Sequence, residues 1–453
     1  MKVAKFGGSS LADANQIKKV CSIILSDAER KIIVLSAPGK RFKNDIKVTD
    51  MLIGCAEAMI TKGNADLELN AVVERFESIV KDLKMPDRIV SVIRDDLLDR
   101  INAPVKHTDK YIDNLKAAGE DNCAKLTAEY LRSNGINARY VNPLDAGLFL
   151  TEEFGNAQVL PESYDNLEKL KELDGIVIFP GFFGYTKKGS VVTFSRGGSD
   201  ITGSILAAAV NADLYENFTD VDSVYSVNPN LVDNPSPITE MTYREMRELA
   251  YAGFSVFHEE ALVPVYKKNI PVTIKNTNNP SAPGTTITPV LKETKRPVVG
   301  VAGDTGFCSI YIRKYLMNHE IGFGKKLLEI LTNEGISYEH TPSGIDDISV
   351  VIREKQLNEE KEKRLLESLK KGLEPDDVYL QKGQALIMLV GEGCKNTIGI
   401  SAKATRALAD AEINIEMINQ GSSEASIMFG VRGDRCKDAI IALYNAFFTD
   451  KIV

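Results

Sequence analysis

Three glycine-containing or acidic segments of this 453-residue chain carry the residue types that bind phosphate. They read KFGGSS (residues 5–10), FSRGGSD (194–200) and NFTDVDSVY (217–225). Glycine lets backbone N–H groups approach an anion closely, and the N-terminus of a following helix adds partial positive charge. The first segment fits neither common phosphate-loop pattern, G-x-x-x-x-G-K-[ST] or G-x-G-x-x-G. A phosphate site in this chain would therefore be assembled from several loops.

Charged side chains lie inside these segments. Lys5 provides a mobile point charge for a polyphosphate, and Arg196 offers a planar guanidinium suited to a carboxylate. Asp200 and Asp220 are able to hold Mg²⁺, directly or through water, or to fix a lysine. Each segment alone also has a plainer explanation, since GGSS is typical of a tight strand-to-helix turn and Ser199 of a helix N-cap.

The composition is that of a soluble globular protein, with 43% hydrophobic and 26% charged residues. A net charge of −8 argues against a general nucleic-acid surface. The six cysteines form no C-x-x-C pair, which argues against a zinc site or a disulfide framework. No apolar signal segment follows Met1, and no stretch approaches the ~20 apolar residues of a transmembrane helix. We expect a cytoplasmic protein without nucleic-acid or membrane partners.

Alternating strands and helices position the three segments. Residues 3–6 and 31–38 are predicted strands, and apolar residues at helical spacing over 17–25 predict a helix between them. Further strands end at the other two segments, so we expect all three at the carboxyl edge of one sheet, where open α/β sheets bind ligands. Residues 50–135 are expected to be mostly helical, with a loop at KAAGEDNCAKL (116–126). The pattern predicts an α/β domain over 1–290 with an open, mainly parallel sheet.

Beyond about residue 297 the chain repeats itself. Three examples of pairs separated by 77 positions are Gly322 with Gly399, Leu331 with Leu408, and Ser349 with Ser426. A constant offset indicates two copies of one unit. Each copy is predicted as β-α-β-β-α-β, a ferredoxin-like α+β unit, with a strand at GISYE or INIEM.

Together, and in this order, these segments resemble the aspartate kinases of the amino-acid kinase family, and the repeated units resemble its ACT domains. The resemblance covers essentially the whole chain and implies an amino-acid-kinase-like sheet with helices on both faces. The matching stretches are KFGGSS (5–10), VTDML (48–52), AAGE (117–120), PGFFG (180–184), SRGGSD (195–200), FTDVDSVYSVNP (218–229), TYREMRELAYAGFSVFHEEAL (242–262), IKNT (274–277) and NQGSSEASI (419–427).

The resemblance implies phosphoryl transfer from MgATP to the side-chain carboxylate of L-aspartate, the first step toward lysine, threonine and methionine. Mg²⁺ would be held mainly by the nucleotide phosphates, with no protein metal site. Catalytic positions carried over are Lys5 and Asp200. Nucleotide-binding positions are Lys5, Gly7, Gly8, Ser9, Thr219, Asp220, Tyr225, Asn230 and Lys275, and aspartate-binding positions are Thr49, Glu120, Arg196 and Ser199. The chain departs from the family at Ser223, Asn228 and Asn230, where glycine, aspartate and arginine are often found, and Lys275 is a candidate to compensate for that arginine.

The resemblance also implies that the first ACT unit (307–376) is inserted in the second (297–306 with 377–453). It further implies feedback inhibition at the ACT units, which pair in homodimers or homotetramers. Effector positions carried over are Met317, Gly322, Phe323, Gly324, Glu339, Ser343, Asp346 and Asp347. Acidic residues suit a basic effector, which favours lysine, with threonine as the alternative.

Two other functions are left open by the residues. An N-acetylglutamate kinase would carry an uncharged, acylated nitrogen into the pocket, leaving a carboxylate such as Glu120 unpaired. The second is a non-catalytic amino-acid sensor, which would bind its ligand through the repeated units. The presence of Lys5, Arg196 and Asp200 argues against it, since a sensor has no use for catalytic side chains.

Overall fold

The computed structural model describes residues 1–195, 197–254, 257, 259–291, 296–421 and 425–449, without the side chain of residue 259. The chain folds as two compact units. The first comprises Met1–Val224, Pro237–Arg247 and Ser255–Lys292, and the second comprises Tyr225–Ser236, Glu248–Phe254 and Glu293–Val453. Because the units interleave along the chain, the three domain limits given above remain predictions. Within the described ranges, no helix is long and apolar enough to cross a membrane.

An eight-stranded sheet forms the centre of the first unit, in the order β10-β12-β11-β7-β1-β2-β4-β3. All of its strand pairs are parallel except β11 with β12. The strands are β1 (Lys2–Phe6), β2 (Arg30–Leu35), β3 (Ala138–Tyr140), β4 (Ile176–Pro180), β7 (Leu214–Thr219), β10 (Glu240–Thr242), β11 (Val272–Asn276) and β12 (Thr285–Thr288). Two short ribbons pair β5 (Phe183–Tyr185) with β6 (Val191–Thr193) and β8 (Val224–Tyr225) with β9 (Pro237–Ile238).

Helices cover both faces of this sheet because its central strands are apolar on both sides. Ala4 and Phe6 pack with α1–α5, while the alternate residues of β1 face α7. The helices are α1 (Ala14–Leu25), α2 (Val48–Lys62), α3 (Asp66–Asp82), α4 (Arg88–Ile101), α5 (Thr108–Ser133), α6 (Glu162–Glu168), α7 (Gly198–Ala209), α8 (Tyr243–Tyr251) and α9 (Glu259–Lys268). Only the residues of α8 up to Arg247 belong to the first unit. The expected mainly parallel sheet with helices on both faces is confirmed.

The predicted loop at 116–126 is wrong, because these residues form the middle of α5. Alanine, leucine, lysine and glutamate dominate the segment and all favour helix. Gly119, inside this helix, serves close packing. A Cβ at Gly119 would lie 2.8 Å from the Cβ of Ala37 in the loop after β2. The glycine therefore lets α5 approach the carboxyl end of the sheet.

The second unit contains a five-stranded sheet in the order β14-β13-β15-β17-β16, antiparallel throughout. Its strands are β13 (Gly300–Arg313), β14 (Asp347–Arg353), β15 (Asp377–Val390), β16 (Met417–Asn419) and β17 (Ser426–Arg432). Its helices are α10 (Phe323–Asn333), α11 (Glu359–Leu373), α12 (Ile400–Asp410) and α13 (Cys436–Tyr444). Helices α10 and α11 share one apolar core, and α12 and α13 share a second. Two α+β units are thus confirmed.

The two copies share strands β13 and β15, each of 14 residues. Residues 300–305 pair with 385–390 in the second copy, and residues 309–313 pair with 377–381 in the first. The register shifts near Gly306, whose φ is 82°. The strand predicted at GISYE (335–339) is wrong, since these residues form no strand and an isolated bridge to Val351 comes only at the next residue, His340. In the second copy the strand begins later than predicted, at Met417.

A buried ion pair joins the strands on either side of β1. Arg30 Nε donates to Glu216 Oε2 at 2.6 Å, and its Nη2 donates to Oε1 at 2.9 Å. Arg30 Nη1 also donates to the carbonyl oxygen of Ile23 at the end of α1. Arg30 is 9% exposed and Glu216 is 4% exposed, so each charge depends on the other for compensation.

We expect Glu216→Leu to destabilise the protein by about 3–5 kcal/mol, because the buried guanidinium then lacks a counter-charge. The double variant Arg30→Met/Glu216→Leu should lose much less. Urea unfolding measures both. As a control, Lys188→Ala breaks the exposed pair with Glu152 and should change stability by less than about 1 kcal/mol. Equal losses in the single and double variants would contradict this role of the pair.

Candidate active site

Lys5 lies near the carboxyl end of the central strand β1. In the parallel register it pairs with Val34 of β2 and Asn217 of β7. Lys5 and Asn217 therefore point to the same face of the sheet, the face that α7 covers. The strand order brings the first glycine turn beside the loop that follows β7.

The ammonium group of Lys5 is held by two side chains. Its Nζ lies 2.5 Å from Oδ1 of Asp200 and 3.5 Å from Oδ1 of Asn217. Asn217 Nδ2 in turn donates to Asp200 Oδ1 at 2.8 Å. Lys5 is only 7% exposed. Asp200 was predicted either to bind a metal or to fix a lysine, and in this structure it pairs with Lys5.

The first glycine turn packs tightly against the loop after β2. Gly7 N donates to the carbonyl oxygen of Phe218 at 3.0 Å, and Gly39 N donates to that of Gly8 at 2.8 Å. A Cβ on Gly39 would lie 2.5 Å from the backbone of Gly8, so only glycine fits there. Ser9 lies in the short 3₁₀ helix that follows, and Ser10 Oγ is 2.7 Å from Oγ1 of Thr277 beyond β11. The turn thus meets the ends of β2, β7 and β11.

The second glycine loop begins α7 beside the PGFFG segment. Gly197, with a φ of 81°, is the N-cap, so the alternative of a Ser199 cap is wrong. Ser199 is buried, and a Cβ on Gly181 would lie 2.7 Å from its Oγ. Phe182 adopts a φ of 75°, which is rare outside glycine, and its N–H donates to Thr202 Oγ1 of α7. Arg196, the predicted carboxylate clamp, lies outside the described residues.

Glu120 is a buried carboxyl group on α5. Its Oε2 has no hydrogen-bond partner among the residues that the structure describes. Burial raises the pKa of Glu120 to about 8, against a smaller opposing effect of the Ala37 N–H and of Lys47 and Lys116. Thr49 follows Val48 in the first turn of α2, and Val48 packs at Gly119. Glu120 follows Gly119, and Thr49 follows Val48. Both therefore lie next to the contact between Val48 of α2 and Gly119 of α5, beside the loop after β2.

Thr219 and Lys275 lie at the ends of adjacent strands β7 and β11. Thr277 N donates to the carbonyl oxygen of Thr219 at 2.9 Å, and Lys275 pairs in register with Phe218. Asp220 accepts from Thr219 Oγ1 at 3.2 Å. The structure thus brings these three predicted nucleotide positions together at the sheet edge that carries Lys5.

Two further nucleotide positions, Tyr225 and Asn230, belong to the second unit. There the side chain of Asn228 accepts from the N–H of Asn230 at 2.9 Å, which forms a local turn. Among all the residues that the structure describes, no group of three or more His, Cys, Asp or Glu side chains could hold a metal ion.

Residues that the sequence did not single out complete this site. Asn217 bridges Lys5 and Asp200, a role that becomes visible only in the parallel register that pairs Asn217 with Lys5. Asp113 of α5 fixes the strand before the second glycine loop, accepting from Thr193 N at 2.8 Å and Thr193 Oγ1 at 2.9 Å. No local motif marks Asp113, since it lies 80 positions from its partner.

The predicted effector positions form two groups. One lies in the loop between β13 and α10 and in the start of α10, and the other lies between α10 and the start of β14. Met317 and Phe323 are buried in the core of the first copy, so a ligand would meet mainly the backbone there. Glu339 accepts from the hydroxyl of Tyr251, also in the second unit, and lies 3.4 Å from Arg353 Nε. The remaining positions are Gly322, the N-cap of α10 with a φ of 85°; Gly324, inside α10; Ser343, bridged to Ile348; Asp346, which accepts from Leu316 N; and Asp347, which begins β14.

Residues 1–276 match the amino acid kinase family, and residues 387–447 match the ACT domain. Aspartokinase 3 of Bacillus subtilis (strain 168) is 56% identical over 453 residues, which cover 100% of both chains. The crystal structure of Clostridium acetobutylicum aspartate kinase has a TM-score of 0.85 at 39% identity, over 99% of this chain and 100% of that chain.

A third relative is E. coli aspartokinase III, solved in two complexes. With aspartate and ADP (R-state), its TM-score is 0.81 at 25% identity, over 99% of this chain and 100% of that chain. With lysine and aspartate (T-state), the TM-score is 0.74 at 25% identity, over 99% of each chain. Since the family match spans more than half of the residues and a relative of 56% identity matches end to end, this chain belongs to the amino acid kinase family, as one of its aspartokinases.

Proposed function

We propose that this aspartokinase transfers the γ-phosphoryl group of ATP to the side-chain carboxylate of L-aspartate, forming 4-phospho-L-aspartate. The observation that carries this proposal is the buried ammonium of Lys5, fixed by Asp200 and Asn217 at the sheet edge where the glycine turns meet. The names of the relatives support aspartate as the acceptor, and the ADP complex of the E. coli enzyme supports ATP as the donor.

The chemistry matches these side chains. A carboxylate with a pKa near ~4 is already ionised at neutral pH and needs no general base. The obstacle is an anion attacking a polyanion, so catalysis requires positioning and positive charge. Lys5 supplies that charge, and its two partners fix it before substrates bind. Backbone N–H groups at Gly8 and Ser9 would bind phosphate, and Mg²⁺, held mainly by the nucleotide phosphates, would neutralise further charge.

Glu120 supports a free amino group on the acceptor. Its unpartnered Oε2 is suited to accept from the ammonium of aspartate, which would supply the missing counter-charge. The acylated nitrogen of N-acetylglutamate carries no positive charge, so that substrate would leave the carboxylate uncompensated. Thr49, Ser199 and Arg196 complete the proposed aspartate site, and Arg196 would clamp the α-carboxylate.

We further propose that lysine inhibits the enzyme by binding at the first ACT copy, with threonine as the alternative effector. Glu339, Asp346 and Asp347 provide negative charge for a basic side chain. Glu339 already contacts Tyr251 and Arg353, so a bound ammonium would compete for it. The lysine complex of the E. coli relative supports this choice. Inhibition requires that lysine bind two global states of the enzyme with different affinities.

We expect Lys5→Ala to lower kcat by at least ~10²-fold, because a preorganised positive charge at the reacting oxygens is lost. Aspartate-dependent release of ADP from MgATP measures the effect. The matched control is Lys2→Ala on the same strand, whose ammonium pairs with Asp27 instead, and it should keep normal turnover. Near-normal turnover of Lys5→Ala would refute the catalytic assignment, and a wild-type protein without aspartate-dependent ADP release would favour the sensor function.

The aspartate KM should fall as pH rises from about 6 to about 8 and then level off. Without substrate, Glu120 is mostly protonated at neutral pH, because its pKa is raised to about 8. Binding the ammonium requires the ionised form, so binding releases a proton and affinity rises with pH, by at most about tenfold per unit. Glu120→Gln should raise KM and remove this dependence. An unchanged pH profile of KM in Glu120→Gln would contradict the assignment.

Added lysine should raise the aspartate KM or lower the rate, and Glu339→Gln should weaken lysine inhibition at least about tenfold through the lost charge. Inhibition curves with lysine and with threonine measure this effect. Glu367→Gln, on the exposed face of α11, is the matched control, and lysine should inhibit it as strongly as it inhibits the wild-type enzyme. If lysine changes neither rate nor KM in the wild-type enzyme, the effector proposal is wrong.

A further inference from the structure

A cavity of about 370 Å³ lies between α8 and α9 in the first unit, apart from the residues assigned to substrate or nucleotide. Its apolar wall consists of Leu262, Val263 and the rings of Tyr243 and Tyr266. The two rings meet edge to face, with centroids 5.6 Å apart. Known pockets for small ligands span about 300–1,000 Å³, so this cavity suits a ligand at the small end of that range.

Two arginines on one face of α8 give the cavity its positive charge. Arg244 and Arg247 are one helical turn apart and both line it. Within the part of the chain that the structure describes, neither guanidinium has a carboxylate partner. The guanidinium fork binds carboxylates bidentately. The cavity is therefore suited to an acid that also carries an apolar body.

Glu260 of α9 places one negative charge in the same wall. Its Oε2 accepts from Ser195 Oγ at 2.9 Å, which leaves the other lone pairs of the carboxylate open to a further donor. A ligand ammonium is such a donor. Arginine, glutamate and an apolar wall together complement the carboxylate, ammonium and side chain of an apolar amino acid.

We infer that this cavity binds a free α-amino acid with an apolar or aromatic side chain, with its carboxylate at Arg244 and Arg247 and its ammonium at Glu260. The site differs from the aspartate site and from the ACT units. Glu260 also accepts from Ser195, the residue before Arg196, so the ligand would share Glu260 with the segment that carries the proposed aspartate clamp. Only this last consequence rests on the proposed kinase function.

Titration calorimetry of the full chain with L-phenylalanine, without ATP or aspartate, tests the site independently of any activity. We expect saturable binding of phenylalanine. The analogues 3-phenylpropanoate, which lacks the ammonium, and 2-phenylethylamine, which lacks the carboxylate, should each bind at least about tenfold more weakly. No binding of phenylalanine, or equal binding of all three, would overturn the inference.

Two variants assign the contacts. Arg247→Gln should weaken phenylalanine binding at least about tenfold, and Glu260→Gln should weaken it while leaving 3-phenylpropanoate unaffected. Lys267→Gln, an exposed change on α9 outside the cavity, should bind as wild type and is the control. Wild-type affinity in Arg247→Gln would overturn the inference. So would self-association of the chain, seen by sedimentation, that Arg247→Gln abolishes, since a second copy would then occupy the cavity.

Discussion

The contact between the Lys5 ammonium and the Asp200 carboxylate is the interaction on which the proposed chemistry depends. It joins the end of β1 to the first turn of α7 at 2.5 Å, with Asn217 of β7 as the third member. A lysine that is 7% exposed requires such partners, since desolvating a lone charge is costly. In return, the ammonium is already oriented before any substrate arrives, which is the condition for electrostatic stabilisation of a transition state.

The rest of the first unit explains why this contact forms. The parallel register places Lys5 beside Asn217, and the Arg30–Glu216 pair joins the strands that flank β1 on the opposite face. Glycines then allow the close approaches that larger residues would prevent. Gly39 lets the loop after β2 pack on the first turn, and Gly119 lets α5 bring Glu120 to the same edge. The proposed site therefore depends on packing between segments that are far apart in sequence.

Much of this could be predicted from the sequence because it is periodic or local. Apolar runs and helical spacing predicted the parallel sheet and its helices, and the offset of 77 residues predicted two α+β units. The failures have a common cause. Residues 116–126 were predicted as a loop, whereas they lie inside α5, where the missing Cβ of Gly119 accommodates Ala37. GISYE (335–339) was predicted as a strand, although an isolated bridge forms only at the following His340. Asn217 and Asp113 were missed because their partners are set by tertiary packing rather than by spacing.

The most direct test is a crystal structure of the enzyme with L-aspartate and a non-hydrolysable ATP analogue. The account predicts that Lys5 Nζ lies within hydrogen-bond distance, about 2.7–3.2 Å, of both a γ-phosphate oxygen and the side-chain carboxylate of aspartate. It also predicts that Glu120 contacts the aspartate ammonium. A nucleotide bound away from both glycine turns, with Lys5 still paired only to Asp200 and Asn217, would contradict the account.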